Sequence, residues 1–142
     1  MITSLKDNEI FVFGSNLAGR HGRGAALTAL RKFGAKNGQG IGLMGKSYGI
    51  PTKDRNLKVL SLDRIEIHIK NFLKFANNHP ELIFLLTEIG CGLAGYKPKQ
   101  IAPLFFKYDI SSNVKFPDSF IKIYRDLIVE KFNIPESIIS KP

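Results

Sequence analysis

The chain is nearly free of cysteine, with Cys91 alone among 142 residues. One thiol can form neither an internal disulfide nor a cysteine-built metal site, so no metal is expected. Long apolar runs are missing too. The longest, such as Leu82 to Leu86, fall far short of the ~20 residues that cross a bilayer. Charge arrives before any apolar stretch in Met1-Ile2-Thr3-Ser4-Leu5-Lys6-Asp7-Asn8, which does not read as a signal peptide. The expectation is a cytoplasmic protein with no membrane partner. Acidic residues are absent from a whole segment: none occurs between Ile10 and Lys53, where Arg20, Arg23, Arg31, Lys32, Lys36, Lys46 and Lys53 all lie. Glycine is absent everywhere except in two windows, Gly14 to Gly49 and Gly90 to Gly95, which hold all thirteen.

What is present fits one globular domain. The length suits a single unit covering 1–142, with 134–142 expected as a loosely docked C-terminal tail. Hydrophobic residues at 44% and charged residues at 23% are close to the globular average and argue against a disordered chain. The net charge of +9 has two readings, a lysine-rich soluble surface or an anionic partner such as a nucleotide, a nucleic acid or a membrane surface. Its concentration in one acid-free segment favours holding a phosphate.

Glu9-Ile10-Phe11-Val12-Phe13 reads as a buried strand that empties into Gly14-Ser15-Asn16. From Gly24 the spacing turns helical, through Ala25-Ala26-Leu27-Thr28-Ala29-Leu30, with cations in the last turn and a stop at Gly34. Gly38 to Gly45 reads as a glycine-rich connection, Ser47 to Ile50 as a strand, and Pro51 to Asn56 as a loop. Asp63 and Glu66 resemble a capping box for a helix whose apolar stripe is Ile65, Ile69, Phe72, Leu73 and Ala76; it must end before Pro80. Leu82 to Thr87 is apolar on both faces, as a central parallel strand would be. Lys97 to Lys107 is helical in spacing, a strand follows around Val114-Lys115-Phe116, and Asp118 to Phe132 reads as a last helix. This alternation predicts a three-layer α/β/α sandwich with a mostly parallel central sheet. Ligands of such sheets sit beyond the carboxyl ends of the strands, and both glycine clusters fall at that edge.

The first cluster runs from a strand through Gly14-Ser15-Asn16-Leu17-Ala18-Gly19-Arg20-His21-Gly22-Arg23 into a helix at Gly24-Ala25. Backbone amides at a helix start bind anions, and glycine lets a pyrophosphate come close. The bland alternative is a tight structural turn. The loop is not a Walker loop, for no Gly-Lys-Ser/Thr closes it. The second cluster, Gly90-Cys91-Gly92-Leu93-Ala94-Gly95-Tyr96-Lys97-Pro98, again joins strand to helix, with Pro98 suited to a first helical turn. Two such loops at one sheet edge can clasp a diphosphate from both sides.

As a pair, in this order, the loops resemble those of the macro domains over roughly Glu9 to Phe106. The resemblance implies a macro-like fold that binds ADP-ribose without a cofactor. It implies that Asn16 meets the distal ribose, that Gly22, Gly24, Gly92, Leu93, Ala94 and Gly95 wrap the diphosphate, and that Tyr96 lies against a sugar or closes the pocket wall. Gly14, Ser15, Arg23, Ala25, Gly90 and Cys91 complete the expected binding set.

Three single residues carry competing readings. His21 is a general base or phosphate contact, or else an exposed loop histidine. Glu88 is a catalytic carboxylate or a partnered structural acid. Cys91 has no histidine near it in sequence and reads as a small packing residue before a nucleophile. If the protein is an enzyme, it hydrolyses an ADP-ribose derivative by an activated water, with Asn16 orienting the sugar and His21 or Glu88 as base. Otherwise it is a reader or scavenger of ADP-ribose, with an ADP-ribosylated protein as a partner. A nucleic-acid-binding module and another nucleotide or phosphoribosyl hydrolase are the alternatives.

Overall fold

Successive side chains of β1 (Glu9–Asn16) alternate between two cores, Ile10 and Val12 in one, Phe11 and Phe13 in the other. All four are 4% exposed or less, and each such burial is worth about 1.5–3 kcal/mol. A strand buried on both faces needs cover on both. In the computed structural model, which describes residues 2–138, the cover comes from helices of different chain position.

The remaining elements are α1 (Gly24–Lys32), β2 (Gly42–Met44), β3 (Ser47–Lys53), α2 (Leu62–Asn77), β4 (Ile83–Leu86), α3 (Pro98–Phe105), β5 (Val114–Lys115) and α4 (Asp118–Phe132). A 3₁₀ turn, Glu136–Ile138, follows; residues 139–142 of the expected tail lie outside the described residues. The protein is an α/β domain whose five strands lie in the order β2-β3-β1-β4-β5. From β1 the chain passes through α1 to β3 on one side, then through α2 back past β1 to β4 on the other. Parallel crossovers are right-handed, so this reversal sends α1 and α2 to opposite faces. Ala29 of α1 and Phe33 just beyond it pack with Phe11 and Phe13, while α2 and α3 and Phe120 of α4 join the core of Ile10 and Val12.

Three local expectations need correction. The stretch Gly38 to Gly45 is more than a connection. Its Gly42–Met44 segment forms β2, an antiparallel hairpin partner of Ser47–Gly49, and this makes the sheet mixed; the β1–β3, β1–β4 and β4–β5 pairs are parallel. Gly45, at φ +57, turns the hairpin. Pro51 lies inside β3 instead of starting a loop. β2 pairs no further than Gly49 and the next bridge on that side of β3 is at Lys53, so Pro51 falls in a gap between ladders, where proline is tolerated. The cap of α2 is Ser61, whose hydroxyl accepts from the Arg64 amide at 3.3 Å, and not the pair Asp63 and Glu66. The apolar stripe of α2 is as its spacing predicts, with Ile65, Ile69, Phe72, Leu73 and Ala76 all buried. Among the described residues no helix is long and apolar enough to cross a membrane.

Candidate functional site

Because β1 and β4 are adjacent and parallel, the loops that leave their carboxyl ends emerge side by side. Between them lies a cleft of about 890 Å³. The direction of strand succession reverses at β1, and such a switch point is where open α/β sheets take their ligands.

The wall from β1 is built by three residues in different states. Gly14 stands close to the second loop, for a methyl group on it would meet the Gly90 amide nitrogen at 3.3 Å. Ser15 is buried and donates its hydroxyl to the Gly40 carbonyl. Asn16, 9% exposed, turns its side chain onto the loop itself: Nδ2 donates to the Arg20 carbonyl at 2.8 Å, and Oδ1 accepts from the Arg20 amide at 2.9 Å. That pair of bonds folds residues 16–20 into a closed ring and fixes where the loop begins.

Next come Gly22, Arg23, Gly24 and Ala25, all on the cleft wall. α1 has no side-chain cap and no acidic residue in its first turn, so the positive end of its dipole is left for an anion. A methyl group built on Gly22, Gly24 or Gly92 would meet nothing within 4 Å, so these backbones open onto free space. From the other side the cleft is bordered by Glu88, Gly90, Gly92, Leu93 and Ala94. The turn is held by bonds from Gly95 N to the Gly92 carbonyl at 3.0 Å and from Tyr96 N to the Gly90 carbonyl at 2.9 Å.

Four of the expected residues do not line the cleft. His21 is 1% exposed and stands edge-on to Phe13, ring centroids 5.4 Å apart. Its Nε2 is 2.8 Å from both the Lys36 and the Gln39 carbonyl oxygens, so Nε2 carries the proton and ties the first loop to the segment before β2. Nδ1 is buried with no partner among the described residues. Cys91 is half-buried against the core, and burial, then the nearby Glu88 charge, pushes its thiol up to about 11. Such a thiol is a poor nucleophile at neutral pH. Tyr96 packs on the core beside α2 and donates its hydroxyl to the Leu60 carbonyl at 2.7 Å. Gly95 sits at the foot of the loop with φ +85. Glu88 does border the cleft, exposed, and its carboxylate accepts from the Ser119 hydroxyl at 2.6 Å.

Other lining residues were not singled out from the sequence. Arg20 and Lys53 join Arg23 as cations on the cleft, and none of the three forms an ion pair among the described residues. Lys53 arrives there because its position on β3 is in register with Asn16. Both cations lie in the acid-free segment, which was the available signal. Leu57, 40% exposed, also lines the cleft, and no sequence pattern marks it. Among the described residues Glu88 is the one carboxylate on the wall. Among the described residues no group of three His, Cys, Asp or Glu could hold a metal ion.

The arrangement is chemically suited to an anion: amides at a helix start, open glycine backbone on two loops, and cations in excess of acids. Compared with protein-family models, with curated proteins and with solved structures, the chain matches none.

Proposed function

We propose that the protein binds ADP-ribose or a closely related NAD-derived nucleotide in this cleft, on a macro-like α/β/α three-layer frame. One observation carries the reading: two glycine loops from adjacent parallel strands open on the same cavity, with Gly22, Gly24 and Gly92 unobstructed. A diphosphate needs close backbone approach from two sides, and this pair of loops offers it. A volume of about 890 Å³ suits a ligand of dinucleotide size, near the upper end of ordinary pockets. Asn16 spends one donor and one acceptor on Arg20, and retains one of each for a sugar hydroxyl.

Turnover of an ADP-ribosyl ester or of ADP-ribose phosphate would draw its base from Glu88, which borders the cleft, before His21, which does not. Without such turnover the same site serves a reader or scavenger.

The test is calorimetric titration with ADP-ribose, NAD, AMP and a short oligonucleotide. ADP-ribose should bind at micromolar affinity, about −8 kcal/mol. AMP, lacking the second phosphate and the distal ribose, should bind far more weakly. Equal affinity for AMP and ADP-ribose would remove the diphosphate clasp from consideration.

A further inference from the structure

Leu57 occupies an expensive backbone conformation outside both hydrophobic cores. Its φ is +63, in the left-handed region where a side chain with a Cβ is strained. It belongs to neither core and is 40% exposed. The residue before it, Asn56, is of a type that tolerates this conformation better, yet the turn places the strain on leucine.

The turn that does so is stiff. It continues β3 through a bridge between Lys53 and Val59. Asp54 N donates to the Lys58 carbonyl at 2.8 Å and Leu57 N to the Asp54 carbonyl at 3.1 Å. The Asp54 carboxylate accepts from the amides of Asn56 and Lys58 at 2.8 and 3.0 Å. An apolar side chain is thus fixed in advance on the cleft wall, and little ordering entropy is lost when a ligand meets it. Strain of this kind persists where the surroundings over-determine it, and it concentrates at ligand clamps.

Its place along the cleft is set by Lys53, which precedes the turn and is in register with Asn16. Leu57 therefore shares the cleft wall with Lys53 and Asn16, in a turn whose far flank meets the loop after β4, where the Leu60 carbonyl accepts from the Tyr96 hydroxyl at 2.7 Å. We infer that Leu57 is a binding residue for the terminal sugar of the nucleotide, the ring beyond the diphosphate, packing on its carbon face while Asn16 and Lys53 serve its hydroxyls. The inference rests on the nucleotide reading of the cleft and assigns the end of the ligand that selects ADP-ribose over ADP.

The experiment compares ADP-ribose with ADP, which lacks that sugar, on wild type, Leu57→Asn and Leu57→Gly. Asn and Gly both accept a positive φ and remove the apolar contact. Each variant should lose about tenfold in affinity for ADP-ribose, as expected for one lost leucine contact, and keep its affinity for ADP. The thermal midpoint of free Leu57→Gly should equal or exceed that of wild type, which checks the fold and registers the released strain. Unchanged ADP-ribose affinity in the two variants, or equal losses for both ligands, overturns the sugar contact. Wild type that binds neither ligand overturns the nucleotide reading and the inference with it.

Discussion

A methyl group added at Gly40 would sit 1.9 Å from the Asn16 carbonyl oxygen, and one at Gly19 2.4 Å from the Gln39 nitrogen. These two glycines exist so that the first loop and the segment before β2 can cross backbone to backbone. Gly92 is different: its surroundings are empty and its φ is ordinary. Gly92→Val should therefore melt with wild-type midpoint and lose ADP-ribose binding, because the added atoms fill the space of a phosphate. Gly40→Ala should lower stability by roughly 3 kcal/mol or more, at or beyond the upper range for overpacking, because both colliding groups are backbone. Melting curves paired with calorimetry separate the two effects. A folded Gly92→Val protein that binds ADP-ribose normally would reduce the second loop to a structural turn.

At the scale of elements, Glu66 ties α2 to the end of α3. Its carboxylate accepts from Lys107 Nζ at 2.8 Å and from the Tyr108 hydroxyl. Lys107 first, then Tyr108, holds the Glu66 carboxyl below its ordinary value of 4.5, and Glu66 holds the Lys107 ammonium above 10.5. A carboxyl depressed in the folded state stabilises fully above its unfolded pKa, and that contribution fades as pH falls through the lower folded value. The ammonium behaves oppositely, stabilising below 10.5 and losing effect as pH rises through its raised value. Glu66→Gln should accordingly lower the thermal midpoint slightly across neutral pH, since the Lys107 partner is exposed and solvent screens the pair. The gap to wild type should narrow as pH falls below 4.5 and through the lowered folded value; a gap that persists once the carboxyl is protonated means the loss is packing and not charge. Glu66 shows why some elements were legible and others were not. The stripe of α2 was plain because five buried positions repeat at helical spacing, but the acid that seemed part of its cap is spent on a neighbouring element. β2 carries three residues, one a glycine, and so has no alternation to read. The open glycines of the cleft could be anticipated from their clustering. The burial of His21 and the position of Leu57 depend on where residues 36–39 and the Asp54 turn lie, and neither leaves a periodic trace.

For the whole molecule, a net charge of +9 poses the choice between a nucleotide and a nucleic acid. Three cations on one cleft match the charge of the proposed diphosphate, whereas tracking a nucleic-acid backbone takes many phosphate contacts. Raising salt from about 50 to 200 mM should weaken ADP-ribose binding only a few-fold, against the ~10³-fold or greater loss expected of a protein making six or more phosphate contacts. An oligonucleotide bound tightly, with that steep dependence, would reverse the assignment. The sheet order has a further consequence, in time instead of space. β1 is the central strand, yet one of its two partners, β4, lies about seventy residues later in the chain. At ~5–20 residues per second, a ribosome finishes β1 roughly 4–15 s before β4 exists. During that interval α1 and β3 can shield one face and one edge, but the edge of Ile10, Phe11 and Val12 that awaits β4 stays open to other chains. Slowing synthesis between β3 and β4 should therefore lengthen the exposure of β1 and lower the yield of folded protein, measured by expression with rare codons placed between them.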